Sequence, residues 1–169
     1  NNSPIGIFDS GIGGITILNS IKNLLPHESI IYYSDNLNSP YGNKSEIEIE
    51  KLSFKNVEFL INKGCKIIVV ACNTATTNSI KKLRANFNIP FIGIEPAIKP
   101  AAMKTKSGLI GVLATEGTLS SLLFGKTSSN HSLNVNIIEK NAEGLVELIE
   151  KGIFYGEKIE EILKKCLLP

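Results

Sequence analysis

Among the three cysteines in 169 residues, Cys72 stands where a thiol could do chemistry. The stretch IIVVACNTATTNS, residues 67–79, runs four β-branched residues into Ala71 and then turns polar, with Asn73, Thr74, Thr76 and Thr77 behind the cysteine. A buried strand ending at a helix start would set the thiol among free backbone amides. There the helix dipole favours the thiolate and lowers the pKa from an ordinary value of ~8.5. Cys72 is therefore expected to have a reactive role and to be the most reactive of the three thiols. The alternative is a small thiol packed at a strand end. Cys65, in a helix-to-strand turn, and Cys166, on an apolar helical stripe, read as structural.

Other polar groups gather at comparable places. Asp9 and Ser10 end an apolar run in IFDSGIGG, with glycine amides behind them. Glycines before a helix can cradle a phosphate, but this loop lacks the lysine of a nucleotide-binding loop and the full dinucleotide spacing. Asp9 has an alternative as a turn or capping carboxylate. Thr115 and Thr118 bracket another strand end, where N-capping is the alternative. Tyr41 and Gly42 lie on a Pro-Tyr-Gly turn, where a half-exposed aromatic would be ordinary. Hydroxyls, amides and free N–H groups without a basic cluster suit a small zwitterion bearing carboxylates.

The elements that must position these groups are legible as short apolar runs at Ile5–Phe8, Ser29–Ser34, Lys66–Ala71, Pro90–Ile94, Leu109–Ala114 and Val135–Ile138. Helix-period stripes lie between most of them: Ile17, Leu18, Ile21, Leu24 and Leu25; Ile80, Leu83 and Phe87; Ile159, Ile162, Leu163 and Cys166. Strands alternating with helices predict an α/β fold with a mainly parallel sheet. Ligands of such sheets bind outside the carboxyl ends of the strands, where Asp9, Asp35, Cys72, Glu95 and Thr115 stand. Ser45 marks a helix start, and the stretch 126–134, KTSSNHSLN, reads as a mobile surface loop. The strand motif IGIFDSGIGG at Ile5 has a weak echo in IGVLATEGTL at Ile110. If the echo is a duplication, the counterpart of Cys72 falls just beyond Pro169.

Composition narrows the function classes. Hydrophobic residues make up 43% and charged residues 20%, enough for a packed core. A net charge of +2 without a basic run gives no support for nucleic-acid or membrane-surface binding. The apolar runs are too short to span a bilayer, and no leader pattern opens the chain, so a soluble cytoplasmic protein is expected. Unpaired cysteine spacing and two histidines argue against a disulfide framework or a zinc site.

Taken in order and at these separations, IGIFDSGIGG, PYGNKS, VVACNTAT, IPFIGIEPA and IGVLATEGT resemble the glutamate racemases of the cofactor-independent aspartate/glutamate racemase family. The resemblance runs from Pro4 to Thr118 and more loosely to the end of the chain. It implies two pseudo-symmetric α/β domains, here residues 1–96 and 97–169, with the second incomplete. Two cysteines would face opposite sides of the substrate α-carbon, one thiolate removing the proton and the other thiol returning one. Cys72 matches the first, and Asp9 is implied to assist transfer near the substrate ammonium. Ser10, Tyr41, Gly42, Asn73, Thr74, Thr115 and Thr118 match substrate-contacting positions, and Glu150 matches an acid that supports a histidine beyond the second cysteine. No cofactor and no metal are implied; the substrate is glutamate, and a homodimer is carried as the alternative to a monomer.

Two departures accompany the resemblance. The second cysteine motif, Gly-Cys-Thr-His-Tyr, is absent from these residues, so the chain is expected to cover the N-terminal two thirds and to be inactive alone. The run NIIEKNAEGLV also lacks the cysteine and proline common there. Alternatives are a related racemase for aspartate or another amino acid, and a non-catalytic ligand-binding homologue.

Overall fold

The structure is a computed structural model that describes residues 2–121, 125 and 135–168. The stretch 126–134, expected to be a mobile loop, lies outside the described residues. The chain divides into two compact units, Asn1–Glu95 and Pro96–Pro169.

In the first unit the elements follow the expected alternation. They are β1 (Ile5–Asp9), α1 (Ile15–Leu24), β2 (Ile30–Ser34), single 3-10 turns at Asn36–Asn38 and Tyr41–Asn43, α2 (Glu46–Asn62), β3 (Ile67–Val70), α3 (Asn73–Asn86) and β4 (Phe91–Gly93). The strands form one parallel sheet in the order β2-β1-β3-β4. β1 is buried along its whole length, as a central parallel strand covered on both faces must be. Its side chains alternate. Ile5 and Ile7, with Val69 and Ala71 of the β3 segment, pack against Ile17, Leu18 and Ile21 of α1. Phe8, Ile68 and Val70 point the other way, toward the side on which α2 and α3 contact the sheet.

Local chemistry sets the helix ends. Ser45 accepts from the Glu48 amide while Glu48 Oε2 accepts from the Ser45 amide, a reciprocal capping box that starts α2 where the sequence places it. From there α2 buries Ile49, Ser53, Asn56, Val57 and Leu60 along one stripe. Gly64, at φ +77, makes the turn into β3. The next residue, Cys65, is buried against Gly6, where a Cβ would stand 2.9 Å from its Sγ. That packing suits the structural reading of Cys65.

The second unit holds α4 (Ile98–Lys104), β5 (Leu109–Ala114), α5 (Glu116–Leu119), β6 (Asn136–Asn141), α6 (Leu145–Glu150) and α7 (Glu157–Leu167). β5 and β6 pair in parallel, with Ile110 opposite Ile137. Ile98 and Ile110 form a small core with Ala101, Val112, Leu119, Val135 and Ile137. β6 continues past Ile138 through Glu139, Lys140 and Asn141, which the apolar pattern does not anticipate. Each unit opens its sheet with a parallel strand pair, so the fold is α/β with parallel sheets throughout. Among the described residues no helix is long and apolar enough to cross a membrane.

Candidate functional site

The carboxyl edge of the first sheet brings Asp9, Ser10 and Cys72 together. β1 and β3 are neighbours in register, Phe8 beside Val70, so the residues just past their ends emerge side by side. Cys72 is the N-cap of α3, with extended backbone and a side chain that accepts from the Ala75 amide at 3.4 Å. Its thiol also donates toward Ser10 Oγ at 3.5 Å. The helix is anchored behind it by Thr76, whose hydroxyl donates to the Val70 carbonyl at 3.1 Å.

The expected lowering of the Cys72 pKa is not found. Cys72 is only 6% exposed, and its thiol pKa is pushed up to about 11, chiefly by burial and further by the Asp9 carboxylate. The hydrogen bonds that link the sulfur to the Ser10 side chain and to the Ala75 and Ser10 amides pull the other way without winning. Sequence reasoning counted the amides of the helix start but could not count desolvation, which disfavours the charged form. Cys166 is partly exposed, 3.8 Å from the Asn141 carbonyl, so it is the more accessible thiol.

Asp9 serves the loop behind it. Its Oδ2 accepts from the Gly11 amide at 3.1 Å and the Gly14 amide at 2.9 Å. The Gly11 carbonyl in turn accepts from Tyr32 Oη at 3.0 Å and Ser34 Oγ at 2.5 Å. The loop thus closes on its own carboxylate, and those two amides are not open to a phosphate. The turn-carboxylate reading of Asp9 describes this geometry, and its electrostatic effect on Cys72 comes in addition.

Tyr41 is 1% exposed, contrary to the half-exposed aromatic that its turn suggests. Its hydroxyl donates to Asp35 Oδ2 at 2.5 Å and accepts from Asn56 Nδ2 at 2.9 Å. Asp35 Oδ1 accepts from Asn38 Nδ2 at 2.8 Å. Burial, the Asp35 hydrogen bond and the nearby Asp35 charge all push the Tyr41 phenol well above the ordinary tyrosine range. The phenol is therefore committed to holding the Tyr41–Asn43 turn, in which Gly42 is also buried. Asn56 and Asn38 were missed by sequence reasoning. The one available signal was a polar residue in the buried stripe of α2.

Asn73 is exposed at the first position of α3, whereas Thr74 is buried. Glu150 ends α6, partly buried. In the second unit Thr115 is the N-cap of α5 but makes no side-chain capping bond; its hydroxyl lies 3.1 Å from that of Thr118. Simple N-capping, the alternative for this pair, is thus not what the side chains do. Thr118 is itself buried.

Comparison with known proteins bears on the family of the chain. The Asp/Glu/Hydantoin racemase family model matches residues 14–167. The glutamate racemase of Herpetosiphon aurantiacus is 44% identical over 168 residues, covering 99% of this chain and 66% of the relative. That of Clostridium botulinum (strain Langeland) is 47% identical over 164 residues, 97% of this chain and 64% of the relative. The crystal structure of Escherichia coli glutamate racemase in complex with L-glutamate and the activator UDP-MurNAc-ala superposes with a TM-score of 0.88 at 35% identity, over 99% of this chain and 65% of that one. The Francisella tularensis glutamate racemase in complex with D-glutamate gives 0.83 at 32% identity, over 98% and 62%. The chain thus spans somewhat less than two thirds of the length of the relatives it matches. A family model matched over nearly the whole chain, relatives of this identity and a shared parallel-sheet architecture leave one assignment: the chain belongs to the Asp/Glu/Hydantoin racemase family.

Proposed function

We propose that the protein carrying these residues interconverts L- and D-glutamate by two-base proton transfer without a cofactor, and that Cys72 is the base on one face. The observation that carries the reading is Cys72 at the mouth of β3, hydrogen-bonded to Ser10 and flanked by Asp9. Its likeness to glutamate racemases favours glutamate over other amino acids. In the proposed step Sγ takes the α-proton, the Cα–H electron pair delocalises into the substrate carboxylate, and a second acid protonates the opposite face. Inversion without a cofactor requires two such groups, each within hydrogen-bond reach of the α-carbon.

Asp9 fits this chemistry as the partner of the substrate ammonium. In the free site its charge opposes thiolate formation; an ammonium beside it would offset that charge, so that substrate binding itself would bring the Cys72 pKa down. Ser10, Gly42, Asn73, Thr74, Thr115 and Thr118 are proposed to contact the substrate, and the Tyr41 side chain to fix the turn that presents Gly42. Glu150 is proposed to support a group outside these residues. The D-glutamate formed would feed peptidoglycan synthesis in the cytoplasm.

A polypeptide of these 169 residues would hold one base of the pair. Incubated separately with L- and D-glutamate in deuterated water, it should exchange the α-hydrogen of one enantiomer without inverting it. Cys72→Ala should reduce that exchange at least ~100-fold, the lower range of a general-base contribution. Full inversion by the verified 169-residue polypeptide would remove the one-base reading, and absence of both glutamate binding and exchange would remove glutamate as its ligand.

A further inference from the structure

We propose that the Ser10 hydroxyl is a switchable partner of Cys72, accepting a hydrogen bond from the thiol and donating one to the thiolate, and thereby the group that lets a base form at a buried sulfur. The geometry comes first. Sγ lies 3.5 Å from Ser10 Oγ and 3.4 Å from the Ala75 amide, with Cys72 almost wholly withdrawn from solvent. The Ala75 amide can only donate, so it serves both states of the sulfur alike in direction. A serine hydroxyl carries one rotatable proton and two lone pairs. It can therefore accept while the sulfur is protonated, and turn its own proton onto the sulfur once that proton has gone.

The charges around the sulfur leave the thiolate dependent on hydrogen-bond donors, this hydroxyl beside the Ala75 and Ser10 amides. The titratable groups that act on Cys72 are Asp9, from the end of β1, and Tyr41, from the Tyr41–Asn43 turn. Asp9 disfavours a second negative charge, and Tyr41 stays a neutral phenol. Counter-charge is thus not supplied from these elements, and stabilisation of the thiolate falls to hydrogen bonds. Those bonds are stronger when one partner is ionised. Ser10 is then a positioning residue for the base in addition to any contact with a ligand, and the two uses compete for one proton. A ligand oxygen that captures the Ser10 proton would weaken the thiolate, whereas an ammonium beside Asp9 would strengthen it.

The inference concerns the sulfur alone and holds whether or not glutamate is the substrate, so its test needs no glutamate. The rate of Cys72 alkylation by iodoacetamide would be followed at pH 9 in the 169-residue polypeptide by peptide mass, with the more accessible Cys166 of the same molecule as an internal clock. Loss of the hydroxyl in Ser10→Ala should slow Cys72 labelling about tenfold, equivalent to one pH unit in the thiolate fraction. A role in mere packing predicts the reverse, since a smaller side chain opens access. The isosteric pair Ser10→Thr and Ser10→Val carries the test if the alanine variant fails to fold by circular dichroism. Threonine should keep labelling near the wild-type rate and valine should slow it. Equal or faster labelling in Ser10→Ala, or threonine and valine variants that label alike, would overturn the proposal.

Discussion

At the scale of single residues the three thiols separate by burial. Cys72 and Cys65 are both buried and both pushed above the ordinary thiol range, whereas Cys166 is partly exposed. In the ligand-free polypeptide, mass-resolved alkylation at neutral pH should therefore label Cys166 first, reversing the order expected from sequence. A Cys72 that labels before Cys166 would mean that the sulfur is less desolvated than described. The same burial makes stability depend on pH. Burial pushes the folded Cys72 thiol up to about 11, above the ordinary thiol value it regains on unfolding, so between these values the unfolded chain releases its proton first. Its contribution is fully present below pH 9 and is lost as pH rises toward 11, about 2–3 kcal/mol for a shift of this size. Tyr41 and Cys65, also raised, act in the same direction. Urea midpoints should thus fall from pH 9 to pH 11, and fall less steeply in Cys72→Ala; an unchanged slope would assign the loss to other groups.

At the scale of elements, the loop after β1 is fixed by space more than by backbone freedom. Gly14 has an ordinary helical φ of −65, yet a Cβ there would stand 2.6 Å from Asp9 Cβ, 2.9 Å from Tyr32 Oη and 3.1 Å from Ala71 Cβ. Asp9 Cβ and Ala71 Cβ are set by the backbone at the ends of β1 and β3, and the Tyr32 hydroxyl, reaching over from the middle of β2, is held by its bond to the Gly11 carbonyl. Gly14→Ala should destabilise by ~2 kcal/mol, a usual cost of overpacking, and loosen the Asp9 bonds to the loop. Ser45→Ala, which removes the cap of α2, should cost ~1 kcal/mol and leave Cys72 labelling unchanged. Chemical denaturation of the two variants, with labelling in parallel, separates a site-coupled element from a merely structural one. Much of this was legible beforehand. β1, β3 and β5 are near-continuous apolar runs, and the residues just past their ends are local in sequence, so Asp9, Ser10 and Cys72 could be named. The Asp35–Tyr41–Asn56 network could not, because its members meet only when α2 folds back over the Tyr41 turn. α4 is seven residues with Pro100 in its first turn, too short for a period, and the polar end of β6 hides its pairing with β5. The direction of the Cys72 pKa shift was hidden for the same reason as the network: burial is a tertiary quantity.

At the scale of the molecule, the two units differ in how much core they own. Among the described residues the buried apolar side chains belong mostly to the first unit, while the second contributes Ile98, Ile110 and Ile159. Among the described residues its sheet is a single pair, on which Leu109, Leu113 and Ile138 are exposed. Parallel sheets are ordinarily covered on both faces, so this pair gains less from burial than β1 and β3 do. Regions with few buried apolar contacts open at lower free energy than the global transition. Native-state hydrogen exchange should therefore show β1 and β3 amides protected up to global unfolding, with β5 and β6 exchanging through a cheaper opening. In urea the second unit should melt first, in a separate transition of smaller slope, because less surface is exposed. Cys72 should stay slow to label after that first transition, since its burial partners named above, Asp9, Ser10 and the start of α3, belong to the first unit. A single transition with equal protection in both sheets would show instead that the chain unfolds as one cooperative body, and that the exposed face of β5 and β6 does not limit its stability.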